Sequence, residues 1–129
     1  ARLVNFFGAE PDVFKLRRVV ADGTNPCIPF HTDVCSARTM QIPLNDESEY
    51  DGGRLVFVTE QGMEVPPRKP GSATIHTAGV VHGVTRLRRG TRYSLFLALR
   101  PGGGEEVDLQ HLVQPALVCL PSQRKLSVA

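Results

Sequence analysis

Twelve glycines and ten prolines in 129 residues cut this chain into short pieces, and that spacing removes most architectures from consideration. The breaks fall at Gly23, Pro26, Pro29, Pro43, Gly52-Gly53, Gly62, Pro66-Pro67, Pro70-Gly71, Gly79, Gly83, Gly90 and Pro101. Between them lie the runs VFKLRRVVA, RTMQIPL, RLVFVTE, SATIHT, VVHGVTRL and TRYSLFLALR. Many short strand-like runs separated by turn chemistry predict an all-β sandwich or barrel. The expected strands are 13–20, 38–44, 54–59, 72–76, 81–86 and 91–99, and no helical periodicity interrupts them before residue 101.

The last of these runs shows what the sheet must do. Arg92, Ser94, Phe96 and Ala98 share one face, and Tyr93, Leu95, Leu97 and Leu99 share the other. Both faces are largely apolar, so another layer must cover the leucines. Beyond the Gly102–Gly104 linker, EEVDLQHLVQ places acids in a first helical turn and Leu109, Leu112 and Val113 at helical spacing, until Pro115 stops it. A short C-terminal helix followed by a frayed tail is expected there.

A chain of this length is one domain with one core. Apolar residues make up 41% and charged residues 22%, an ordinary globular composition. The formal charge of +2 is too small to make nucleic acid or an acidic membrane the main partner. No apolar run approaches the ~20 residues of a membrane-spanning helix. The sequence opens at Ala1 without a charged-then-apolar leader, so a removed upstream segment and the compartment both stay open. Oligomeric state is not legible. Cys27, Cys35 and Cys119 make neither a disulfide framework nor a CxxC metal spacing.

Residues 26–34, PCIPFHTDV, place His31 and Asp33 two apart in an apolar stretch. On a strand they would point the same way and converge on one spot, with Cys35 continuing that face if the strand runs on. From this pair alone, a strand end with a solvated histidine and a capping aspartate explains the pattern equally well. Downstream, VVHGVTRLRRGTRYSLFLAL adds His82, then Arg92 and Ser94 on one strand face. Two imidazoles and one carboxylate form a facial triad, which suits iron(II) and leaves positions open for a co-substrate and dioxygen. A cationic metal would chelate an anionic 2-oxo acid. Arg92 would grip that acid's far carboxylate through its planar fork, with Ser94 adding a hydrogen bond. A lone arginine on an apolar strand face otherwise lacks its anion.

In this order, HxD, distal His and Arg-x-Ser, the sequence resembles the 2-oxoglutarate- and iron(II)-dependent dioxygenases. The surrounding segments YDGGRLVF, PRKPGSATIH and HGVTRLRRGTRYSLFLAL resemble the prolyl 4-hydroxylase-like branch, over about Val13 to Arg100. The resemblance implies a mainly β fold, a double-stranded β-helix (jelly roll), over residues 1–101, with 102–129 as linker, short helix and tail. It implies iron(II) on His31, Asp33 and His82, and 2-oxoglutarate on Arg92 and Ser94. Dioxygen would be consumed, with ascorbate as reductant. Hydroxylation of a C–H bond, most simply on a prolyl residue in a peptide, would release succinate and carbon dioxide.

The chain also departs from that branch. Two tyrosines that usually help hold 2-oxoglutarate fall at Ala21 and Pro43, tryptophan is absent, and the helices that usually precede the first strand have no room. A trimmed or compact version is expected. His76 stands where the branch has an apolar aromatic residue and is expected to be structural; His111 belongs to the tail helix. The acidic run 45–51, with Asp46, Glu47, Glu49 and Asp51, reads either as a solvated turn or as a lid gripping a cationic substrate. The basic run 86–90 reads as a turn. Against the enzyme stand a catalytically impaired metal- and anion-binding jelly-roll module, a hydroxylase of a free amino acid or other small molecule, and a ligand-storing cupin. The cupin fits least well, since cupins start with HxH and add a glutamate.

Overall fold

The described residues form ten strands: β1 (Val13–Val20), β2 (Ile28–His31), β3 (Arg38–Pro43), β4 (Tyr50–Gly52), β5 (Leu55–Thr59), β6 (Gly62–Glu64), β7 (Ala73–Thr77), β8 (His82–Val84), β9 (Leu87–Leu99) and β10 (Val118–Leu120). The structure is a computed structural model that describes residues 10–24, 27–101 and 118–120. The expected helix at 105–114, His111 and the frayed tail lie outside these residues.

All pairings are antiparallel and form two sheets. One runs β1-β9-β3-β7-β10, with β4 also on β9, and the other β2-β8-β5-β6. Apart from the short β4 and β10, consecutive strands mostly alternate between the two sheets, as in a jelly roll. That confirms the fold class expected from the sequence. No helix among the described residues is long and apolar enough to cross a membrane.

Alternation of side chains divides the larger sheet into two unlike faces. Met40 pairs with Leu97 and Ile75 on the outer face, and Ile42, Ala73, Leu95 and Leu99 pack around this cluster. One residue along, Thr39 and Gln41 of β3, Thr74 and His76 of β7, and Arg92 and Ser94 of β9 turn toward the smaller sheet. The smaller sheet answers with Leu55 and Phe57, joined by Val80 from the turn before β8 and packed by Val84. A polar wall thus faces an apolar one across the barrel, and that asymmetry positions the site.

Three local readings change. β2 ends at His31, so Asp33 and Cys35 lie beyond the strand and the shared face premised on its continuation does not exist. Cys35 is exposed. The basic run 86–90 is mostly strand, since β9 begins at Leu87, which is buried. It pairs with Tyr50–Gly52 of the acidic run, and Arg88 grips Asp51 through two hydrogen bonds of 2.9 Å each. Two charge runs of opposite sign, each readable as a solvated turn, form one ribbon. Residues 118–120 add a strand beside β7 where only tail was expected.

Candidate active site

His31 and His82 reach each other because β2 and β8 pair at those two residues. The register shifts between Ile28 and His31, bringing β2 close to Gly83. A Cβ at Gly83 would sit 2.9 Å from the Ile28 carbonyl oxygen and 3.2 Å from the Phe30 ring, so only glycine fits beside His82. The two imidazole centroids are 4.4 Å apart. Asp33 comes in from the bend after β2. Its Oδ1 lies 3.5 Å from His31 Nε2 and 3.7 Å from His82 Nε2. One ligand atom from each of the three residues falls within 4.8 Å of the others.

Backbone partners prepare both imidazoles for a metal. His31 Nδ1 is 2.9 Å from the Pro29 carbonyl oxygen, and His82 Nδ1 is 3.0 Å from that of Val80. A carbonyl can only accept, so each Nδ1 carries the proton and each Nε2 lone pair is left for a cation. Asp33 is prepared likewise: Thr39 Oγ1 donates to its Oδ2 at 2.7 Å, leaving Oδ1 toward the histidines. Thr39 was missed in the sequence, where it reads as one more strand threonine. Its inward register, opposite His76, is the only signal it carries.

His76 lies against this group without entering it. It is wholly buried, its ring is 4.3 Å from that of His82, and its Nε2 is 3.7 Å from Asp33 Oδ2. Burial, and after it the charge of His82, pushes its pKa down to about 4. At neutral pH it is an uncharged wall residue, in keeping with the structural role expected of it.

The second half of the site is cationic. Arg92 and Ser94 are buried on the inner face of β9, at 2% and 1% exposure. Gly53 lets the chain pass over Arg92: a Cβ there would lie 3.1 Å from Arg92 Cδ and 3.1 Å from Leu87 Cδ1, and its φ of +61° disfavours other residues. Beside Arg92 stands Arg68, which the sequence reading missed because PPRKPG looks like an exposed turn. Arg68 donates from Nη2 to Ser94 Oγ at 2.9 Å. Arg92 Nε and Nη2, Arg68 Nε and the Tyr50 hydroxyl are buried without a well-formed hydrogen bond among the described residues, although the Tyr50 oxygen lies near enough to both guanidiniums to favour their charge. Buried donors without acceptors are rare and ask for a ligand. Burial, and then the neighbouring Arg68 charge, lowers the Arg92 pKa to about 10, which leaves it charged at neutral pH.

The acidic run, by contrast, is braced within the fold. Asn45 donates to the Thr91 carbonyl and accepts from Tyr93 N, locking the run to β9. Asp46 and Glu49 form a reciprocal capping box around the short turn Glu47–Glu49. Glu47 pairs with Arg54 and accepts from Arg68 N, and Asp51 holds Arg88.

Comparison with known proteins finds both relatives and structural neighbours. Two curated relatives are PKHD-type hydroxylases. The one from Shewanella frigidimarina (strain NCIMB 400) is 37% identical over 54 residues, covering 42% of this chain and 24% of the relative. The one from Hyphomonas neptunium (strain ATCC 15444) is 28% identical over 102 residues, covering 79% and 43%. The chain is thus similar to PKHD-type hydroxylases over part of their length. Two solved structures share this fold. An oxidoreductase of the 2OG-Fe(II) oxygenase family from Burkholderia pseudomallei superposes with a TM-score of 0.60 at 20% identity, over 74% of this chain and 47% of that one. A Pseudomonas putida prolyl-4-hydroxylase gives 0.55 at 21%, over 78% and 61%. No family model matches. The chain spans less than half the length of either PKHD-type relative.

The residues fit the groups that such dioxygenases use. Two neutral imidazoles and a carboxylate, each oriented by its own partner, are a donor set for a divalent transition metal. The unpartnered guanidinium N–H groups are a donor set for a carboxylate.

Proposed function

We propose that this chain is the core of an iron(II)- and 2-oxoglutarate-dependent dioxygenase that hydroxylates a C–H bond, on a prolyl residue of a peptide, with release of succinate and carbon dioxide. The observation that carries this reading is the convergence of His31, Asp33 and His82, whose metal-facing atoms are all left clear by second partners. The names of the two hydroxylase relatives and of the prolyl-4-hydroxylase neighbour support the reaction class and the prolyl substrate.

Iron bound on these three side chains would supply the oxidising chemistry, with ascorbate keeping it reduced. The rest falls to the protein. Thr39 holds Asp33 by Oδ2, so that Oδ1 faces the two histidines, where it would meet the iron. Arg92 fixes the far carboxylate of 2-oxoglutarate, with the Ser94 hydroxyl, already accepting from Arg68, free to donate its own proton. Phe57, Leu55 and Val80 make the facing wall apolar and exclude water. His31, partly exposed, marks the side from which a substrate approaches.

A second reading, a binding module that has lost turnover, is favoured by Ala21 and Pro43 standing where the branch has tyrosines. One experiment separates the two. Protein supplied with iron(II), ascorbate, oxygen and 2-oxoglutarate should produce succinate, and prolyl peptides should gain about 16 mass units (one oxygen). Succinate without any oxygenated peptide would move the substrate to the small-molecule class. No succinate from a protein that binds iron and 2-oxoglutarate would establish the module.

A further inference from the structure

The inner wall holds one more cation than the proposed reaction uses. Arg68 precedes β7 in a proline-rich segment, yet it is 1% exposed. Its backbone N–H donates to Glu47 Oε1 at 2.9 Å, its Nη2 to Ser94, and its Nη1 reaches Gln41 Oε1 at 3.5 Å. Its Nε makes no well-formed hydrogen bond, nor do Arg92 Nε and Nη2 and the Tyr50 hydroxyl beside them. No carboxylate among the described residues pairs with either guanidinium; Glu47, the nearest candidate, is taken by Arg54 and the Arg68 backbone. Two like charges buried side by side are costly unless an anion with several acceptor oxygens lies between them.

We infer that Arg68 and Arg92 form a two-guanidinium clamp for the distal carboxylate of a dicarboxylate, with the Tyr50 and Ser94 hydroxyls as further donors. This rests on the proposed role of Arg92 and extends it to a residue in a different segment. The clamp makes a distal carboxylate a requirement: a 2-oxo acid without one leaves both cations unpaired.

Calorimetric titration tests this on protein freed of metal by chelating resin and again on zinc-loaded protein. The probes are 2-oxoglutarate, glutarate (which lacks the 2-oxo group) and 2-oxopentanoate (which lacks the distal carboxylate). Arg68→Gln, which keeps a donor for Ser94, should weaken both diacids at least about tenfold and leave 2-oxopentanoate unchanged. Unchanged diacid affinity would overturn the clamp. A measurement on the wild type needs no variant to fold: in a 15N-edited spectrum, two slowly exchanging arginine Nε–H signals should shift on adding glutarate, and a shift of only one overturns it. Succinate production with diacid binding indifferent to Arg68 removes the clamp and keeps the reaction. Diacid binding through both arginines without succinate removes the reaction and keeps the clamp.

Discussion

At one end of the site His31 exposes 43% of its side chain and Asp33 22%, whereas at the other Arg68, Arg92 and Ser94 each expose 2% or less. The proposed metal end is open to solvent and held by short local devices: carbonyls two residues before each histidine, and one threonine. The anion end is closed and held by residues distant in sequence, from the segments around Tyr50 and Arg68 and from β9. Openness suits a centre that must admit oxygen and a substrate. Closure suits a co-substrate grip, because guanidiniums already stripped of water bind a carboxylate more strongly than hydrated ones.

Breaking the open end should have the largest effect. Asp33→Ala removes the only anion among the three proposed ligands and is expected to abolish binding of iron(II) or cobalt(II), as read by spectroscopic titration. Retained binding would mean the metal sits elsewhere. At the closed end, Arg92→Ala should weaken 2-oxoglutarate by ~2–5 kcal/mol, one to several decades in affinity, measured on metal-loaded protein. Arg92→Lys should recover only part, because an ammonium lacks the fork. Equal affinities would remove Arg92 from the pocket.

Two smaller effects sharpen the contrast. His76 is held neutral with its pKa near 4, while the unfolded chain takes up that proton near 6.5. The unfolded state therefore binds more protons between these values, and the stability of metal-free protein should fall as pH drops from 6.5 to 4, by up to about 3 kcal/mol. His76→Phe should flatten that slope in denaturant melts and leave metal binding nearly intact. A variant that loses metal would promote His76 from wall to ligand. Thr39→Val, which removes only the brace on Asp33, should cost roughly 10–100-fold in metal affinity. An unchanged affinity would show that the bend after β2 alone orients the carboxylate.

The same contrast explains what was legible in the sequence. The open end is built from residues whose types are rare and whose local order matters, so HxD with a distal histidine could be read from the chain. Arg92 and Ser94 were legible because strand alternation places both on the inward face of β9. Arg68 was not, since prolines and Gly71 around it signal a turn and only tertiary packing buries it. Thr39 was not, since nothing local separates a brace from an ordinary strand threonine. The reading of His31 and Asp33 as neighbours on one strand face rests on a premise that fails: the strand stops at His31, and the bend brings Asp33 back beside it. Strand positions fared better than strand ends. Gly90, at φ +82°, reads as a turn but sits inside β9, where a Cβ would lie 2.4 Å from the Glu49 carbonyl oxygen.

β9 has a consequence for how the molecule is made. Among the described strands only β10 follows it, and it lies between β1 and β3 while also carrying β4. Val13 finds its partner only at Ala98, and Arg38, already beside Thr77, gains its second neighbour only at Leu99. During synthesis at ~5–20 residues per second, β1 must therefore wait on the order of ten seconds for its neighbour to be made. Throughout that interval Phe14 and Leu16, still largely exposed in the finished fold, sit on a strand with both edges open. The sheet around β1 and β3 can thus close only once Leu99 has left the ribosome.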